Sequence, residues 1–199
     1  MTIRKIAVLA AGLGQPSSTR LLADRLAEAT VRHLQNVGVD SVSEVVELRD
    51  TAQEVVTKLT VGTPSFELET AIEVVTSADA LIAVTPVFMG SYSGLFKSFI
   101  DVLDPTSLTD MPVLIGASGG SERHSLALDY AMRPLFTHLH AVVVPTGIFA
   151  AQHDWKGTAP IGADPQSVRI ERAAGELAGL VSQAAAMSIQ PTRCSHMVG

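Results

Sequence analysis

The chain has almost no cysteine, no run of like charge and no apolar stretch of membrane-spanning length, and each absence removes a class of protein. Cys194 is the single cysteine among 199 residues, which excludes a disulfide framework and a cysteine metal site. It lies in a polar tail, where it reads most simply as a free thiol. Lysines and arginines are scattered and the formal net charge is −6, so an electrostatic nucleic-acid surface is not expected. No apolar run approaches the roughly 20 residues of a membrane helix, and the opening Met1-Thr-Ile-Arg-Lys-Ile lacks the apolar core of a signal peptide. The expectation is a soluble cytoplasmic α/β protein without nucleic-acid or membrane partners.

What is present is a hydrophobic content of 47%, enough for one domain with a substantial core. That domain is expected over residues 1–187, with 188–199 as a disordered tail. Hydrophobic runs recur as Ile6–Leu9, Val42–Leu48, Ala80–Val84, Val113–Ala117 and Ala141–Val144. All but the second are continuously apolar, the pattern of strands buried on both faces of a parallel sheet. The second alternates with Ser43, Glu44 and Glu47 and reads as an edge strand. Helical faces lie between them: Leu22, Leu26, Ala29 and His33; Ile72, Val75 and Ala78; Leu95, Phe96, Phe99, Ile100 and Leu103; Leu126, Tyr130, Leu135 and Leu139. A last helix spans about 165–187. Five strands alternating with five helices predict a doubly wound, flavodoxin-like five-stranded parallel sheet of order 2-1-3-4-5.

Ligands of such sheets bind beyond the carboxyl ends of the strands, where the winding reverses. The loops leaving strands one, three and four are Ala10–Arg20, Pro86–Gly94 and Ser118–Arg123, the connections richest in glycine and hydroxyl groups. In the first, Ser17, Ser18 and Thr19 open a helix, where amide groups and the macrodipole favour an anion such as phosphate; plain N-capping by serine is the alternative. Gly12-x-Gly14 lacks the third glycine of a dinucleotide fingerprint, since Ser17 occupies that place. The second loop follows strand three as Thr85-Pro-Val-Phe-Met-Gly-Ser-Tyr-Ser-Gly94, with Pro86 fixing one φ and Gly90 and Gly94 permitting close approach. The third, Gly116-Ala-Ser-Gly-Gly-Ser121, offers backbone amides to a polar heterocycle edge, or makes a simple turn. No P-loop lysine and no magnesium-type carboxylate cluster occur. A phosphate cradle, a bending platform and a glycine edge suit flavin mononucleotide (FMN) better than a nucleoside triphosphate.

These residues resemble the NAD(P)H-dependent FMN reductase family, and most of all the reductases that supply two-component monooxygenases such as the alkanesulfonate system. The likeness rests on Pro16-Ser17-x-Thr19, Thr85-Pro-Val-Phe, Ser91-Tyr-Ser-Gly-x-x-Lys97, Gly119-Gly120, His124, Leu128–Pro134 and Gly147-Ile-Phe149, spanning roughly residues 4–150. It implies FMN, reduced by NADPH or NADH, with Gln15, Ser17, Ser18 and Thr19 around the phosphate. Pro86, Val87, Phe88, Met89, Gly90 and Ser91 would line the ribityl chain and ring, with Ser118, Gly119 and Gly120 at its other edge. Arg123, His124 and Tyr130 would border the nicotinamide or a subunit interface. No side chain is assigned as a catalytic acid and no metal is implied.

Two positions depart from the family pattern. Gln15 sits near the place where the family often has a phosphate-loop arginine, leaving Arg20 as the candidate cation, and Phe88 stands where the family has a tyrosine. Pro134 cannot donate to the carbonyl of Tyr130, so the fourth helix carries a defect. The resemblance puts a π-bulge there, with Tyr130 stacking across an oligomer interface; a buried tyrosine in a kinked helix is the other reading. Helix Leu95–Leu103 is apolar on more than one face, which predicts that it covers both the sheet and a second subunit of a homodimer or homotetramer. Lys97 and Asp101 read as a surface ion pair. Trp155 either covers the site or anchors its loop. A partner monooxygenase, a quinone, azo-dye or metal-ion reductase on the same fold, and a non-enzymatic flavin carrier are the functions to be separated.

Overall fold

The computed structural model describes residues 3–151, 154 and 165–189. Trp155, the 190–199 tail and Cys194 lie outside these. The elements run β1 (Arg4–Ala10), α1 (Ser18–Asn36), β2 (Ser41–Glu47), α2 (Ala52–Val61), α3 (Phe66–Thr76), β3 (Ala80–Phe88), β4 (Ser91–Tyr92) and α4 (Gly94–Asp101). They continue through β5 (Pro112–Gly119), a π-helical turn (Leu128–Met132), α5 (Arg133–His138), β6 (Val142–Val143), β7 (Ile148–Ala151) and α6 (Pro165–Ile189). The main sheet path is β2-β1-β3-β5-β6, all parallel, which is the expected 2-1-3-4-5 winding.

The strand count is seven rather than five, for two local reasons. The fifth predicted strand, Ala141–Val144, is only β6, which pairs with Pro112–Val113; β7 lies beyond that run, pairs with Gly116–Gly119, and is separated from β6 by Pro145-Thr146-Gly147. Proline has no amide for the ladder. The groups freed by the break are met by side chains. Arg133 donates to the carbonyls of Val144 (2.9 Å) and Pro145 (3.0 Å), and Glu176 accepts from the Thr146 amide and hydroxyl, both at 2.8 Å. Burial raises the Glu176 carboxyl, but the Thr146 bonds and Arg172 outweigh it and hold the group below its ordinary value. The second addition is β4, which folds back antiparallel on β3 with Phe88 opposite Ser91. Met89 (φ 49°) and Gly90 (φ 85°) form its two-residue turn, the double positive-φ geometry that matches strand twist.

The sheet separates two apolar layers. Ile6, Val8, Ala10, Ile82 and Val84 pack with α1 and α6, while Ala7, Leu9, Leu81, Ala83 and Val87 pack with the helices of the opposite face. Helix α2, absent from the sequence expectation, packs against α4. Phe96, Phe99, Ile100 and Leu103 are all within the core, and Phe96 meets Phe136 edge-on with ring centroids 6.3 Å apart. The two-sided apolarity of α4 is therefore satisfied inside the chain and requires no second subunit.

The fourth predicted helix presents a different face from the expected one. Its register slips at the π-turn, so Ala127, Leu128, Met132 and Phe136 are buried while Leu126 (62% exposed) and Tyr130 (80% exposed) point outward. A buried Tyr130 is thereby corrected. The π-turn itself lies where the resemblance put it, ending at Met132, two residues before Pro134. Among the described residues no helix is long and apolar enough to cross a membrane.

Candidate functional site

Each of the three loops begins at the carboxyl end of a strand, and two observations bring them together. In the parallel β3–β5 register Pro86 stands opposite Ser118. The Ser118 hydroxyl in turn lies 2.7 Å from the hydroxyl of Thr19 in the first turn of α1. Strand β1 joins through the Ala11 amide, which donates to the Val84 carbonyl at 2.9 Å. The switch point between β1 and β3 is thus one contiguous surface.

Within the first loop, Ser17 caps α1: its Oγ accepts from the Arg20 amide at 3.2 Å. The amides of Ser18 and Thr19 have no carbonyl one turn back, the usual condition of a helix start and the reason such ends take anions. Ser18 and residues 13–16 are exposed, whereas Thr19 and Ser118 are sealed at 2% and 3% exposure. The last two act as a tie between loops, and the exposed donors surround them. Gly12 is required by close approach: a Cβ there would come within 2.0 Å of Ser17 Oγ and 3.0 Å of Thr19 Cβ. The loop is wrapped that tightly, with the Gln15–Pro16 peptide bond cis.

The second loop is a hairpin rather than an irregular connection. Thr85 and Ser93 are buried at its base, where Thr85 Oγ1 accepts from the Ser93 amide at 3.0 Å and Ser93 Oγ caps α4 by accepting from Phe96. Val87 belongs to the core, so only its backbone faces outward. Phe88 (49% exposed) and Met89 (fully exposed) stand at the tip beside Gly90 and the half-buried Ser91. The π-turn carrying Tyr130 packs beside β4.

At the third loop, Ser118 and Gly119 are the last residues of β5, Gly120 is exposed, and Ser121 caps the short turn Glu122–His124 through the Arg123 amide. A Cβ on Gly119 would lie 2.9 Å from the Phe149 ring and 3.6 Å from His124 Nδ1. That nitrogen is enclosed without a hydrogen-bond partner, an uncommon state for a buried polar atom, at the edge where ring heteroatoms are expected. Arg123 is exposed. A crowded anion-type loop, a hairpin with an aromatic tip and a glycine edge fit FMN in kind and order.

Two residues beyond those expected enter the site. Arg49, just past β2, donates to the Gly14 carbonyl at 3.3 Å, and Gln15, with its amide oxygen turned to the guanidinium, accepts from Arg49 at 2.8 and 2.9 Å. Glu47 binds Arg49 through Oε2 at 2.9 Å and Arg20 through Oε1. Arg20, the cation suggested by the sequence, is held by Asp24 at 2.8 Å as well as by Glu47, and the Asp24 bond above all raises its basicity. No signal in the Glu47-Leu-Arg-Asp50 stretch marks it as part of a phosphate site.

Comparison with known proteins agrees with the geometry. A family model described as NADPH-dependent FMN reductase matches residues 4–156. A protein named NADH-dependent FMN reductase SfnF from Pseudomonas fluorescens is 37% identical over 176 residues, 88% of this chain and 91% of that protein. One named FMN reductase (NADPH) from Pseudomonas aeruginosa is 36% identical over 177 residues, with the same coverage. Among solved structures, an oxidoreductase from Corynebacterium diphtheriae superposes with a TM-score of 0.84 at 42% identity, covering 92% of this chain and 99% of that one. The apo form of the NADH:FMN oxidoreductase EmoB gives 0.71 at 26% identity and 89% coverage of each chain. The chain belongs to the NADPH-dependent FMN reductase family.

Proposed function

We propose that this protein reduces FMN with NADPH or NADH and releases the reduced flavin to a flavin-dependent monooxygenase. The observation that carries this reading is the Thr19–Ser118 hydroxyl pair with Pro86 opposite Ser118, which joins phosphate loop, hairpin and glycine edge into one contiguous surface. FMN, when bound, supplies the hydride-accepting chemistry. The chain's own residues bind and orient. The α1 N-terminus with Ser17 and Ser18 takes the phosphate, the exposed edge of the β3–β4 hairpin supports the ribityl chain and ring, and Gly119–Gly120 presents amides to the far edge. Arg123 is the exposed cation closest in sequence to that edge and is the candidate for contact with the nucleotide's phosphates.

Phe88 and Met89 are exposed on the hairpin, Tyr130 on the π-turn that packs beside it, and Leu126 just before that turn. They are the proposed seat of a homo-oligomer contact, dimeric or tetrameric, with Tyr130 stacking across it. Following NADPH and NADH oxidation with and without added FMN tests the activity. Oxidation with at least one nucleotide that depends on FMN is expected, and no oxidation with either overturns the reading. A quinone or azo dye reduced faster than FMN would transfer the assignment to the related acceptor reductases.

A further inference from the structure

The charge beside the phosphate loop is arranged unusually for an anion site. Two arginines flank it, yet both are bound to one carboxylate: Glu47 takes Arg20 on Oε1 and Arg49 on Oε2. Asp24 also pairs with Arg20, and Asp50 lies 3.4 Å from Arg49 Nε. Two cations therefore meet three carboxylates. Glu47 is the central and least exposed of these, with 17% of its side-chain surface accessible against 39% for Asp24 and 69% for Asp50. Charges that are poorly solvated interact more strongly than exposed ones, so Glu47 dominates the balance. The Arg49 guanidinium is at the same time fastened to Gly14 and Gln15, the exposed part of the loop itself.

We infer that Glu47 is a positioning residue that limits how tightly this loop holds the flavin phosphate. It fixes Arg49 as a clamp on Gly14–Gln15, shaping the loop, while cancelling the attraction that Arg49 and Arg20 would otherwise exert on a phosphate dianion. Shape is retained and charge is removed, which suits a flavin that must leave after reduction. This rests on the phosphate-loop reading above.

Binding of FMN and of riboflavin, which lacks the phosphate, separates the two. Fluorescence titration of Glu47→Gln, whose amide oxygen still accepts from an arginine, is expected to show FMN bound about five- to tenfold more tightly at low salt, with riboflavin unchanged. The Glu47→Gln gain is expected to fade as salt rises, whereas wild-type FMN affinity changes little with salt. Arg49→Met is expected to weaken FMN more than riboflavin. A wild type that prefers FMN, combined with an unaltered FMN-to-riboflavin ratio in Glu47→Gln, overturns this inference and leaves the phosphate loop standing. A wild type that binds both flavins equally overturns both. Should Glu47→Gln not fold, a steep salt dependence of wild-type FMN binding overturns the inference by itself.

Discussion

The two ends of the candidate flavin site are built on opposite plans. At the phosphate end the atoms are crowded and tied: Gly12 has no room for a methyl group, Thr19 and Ser118 are sealed against each other, and Arg49 clamps the loop from β2. At the ring end Phe88, Met89, Leu126 and Tyr130 stand exposed. One end is preorganised, and the other is left for something else to complete. A nicotinamide ring or a second subunit needs an open face, whereas a phosphate needs donors already in place, because ordering them on binding would reduce affinity.

The strongest way to break this contrast is to spoil the phosphate end alone. Ser17→Asp retains a good helix cap but sets a carboxylate against the phosphate. Like charges about 4 Å apart at a protein surface repel by about 4 kcal/mol, so FMN affinity is expected to fall at least about a hundredfold. Circular dichroism and riboflavin titration serve as controls. Unchanged FMN affinity would remove phosphate from this loop.

A smaller effect tests the tie between loops. Thr19→Val and Ser118→Ala each remove one member of a buried hydroxyl pair and leave the other unsatisfied, at about 1–3 kcal/mol of stability. The double variant is expected to lose less than the sum, because no orphan remains. Strict additivity in urea melts would show that the two hydroxyls do not cooperate.

Much of this arrangement was legible in sequence, and the parts that were not share a cause. Continuous apolar runs gave the parallel strands and their winding, and glycine with hydroxyl residues marked the three loops, because both signals are local. Helix α2 was missed because Val55, Val56, Thr57, Thr60 and Val61 are β-branched and weaken the helical pattern. Periodicity alone buries Tyr130, because a 3.6-residue period cannot anticipate the extra residue of a π-turn; the outward alternative comes only from the family resemblance. Glu47 and Arg49 act across 27 and 35 positions of chain, and nothing in their neighbours announces such a contact.

At the glycine edge, beside β5, lies β7, whose Phe149 packs on Gly119, and its start is held through Thr146 by Glu176. Because the folded Glu176 carboxyl lies below its ordinary value of 4.5, its contribution to stability is present above that pH and is lost as pH falls through the folded value. Glu176→Gln should lower the melting temperature at pH 7, with a loss of about 1 kcal/mol, and narrow the difference between variants near pH 3. A constant difference across that range would show that the carboxylate is not the stabilising form.

The smallest expected effect lies at the hairpin tip, and it decides whether the ring end is truly open. Met89 adopts φ 49° with its side chain fully exposed, a backbone state that disfavours residues with a Cβ except asparagine and aspartate. Asparagine followed by glycine is the preferred pair for this two-residue turn. If Met89 serves only as a turn residue, Met89→Asn stabilises the protein by about 0.5–1 kcal/mol and leaves FMN affinity unchanged. If its thioether instead packs against a second subunit, the same substitution removes buried apolar surface, and the oligomer dissociates at a higher protein concentration than the wild type. Melting temperature and light scattering on one preparation distinguish the two. A strained, exposed methionine at a turn is better explained by such a contact than by the turn itself, so the second outcome is the expected one.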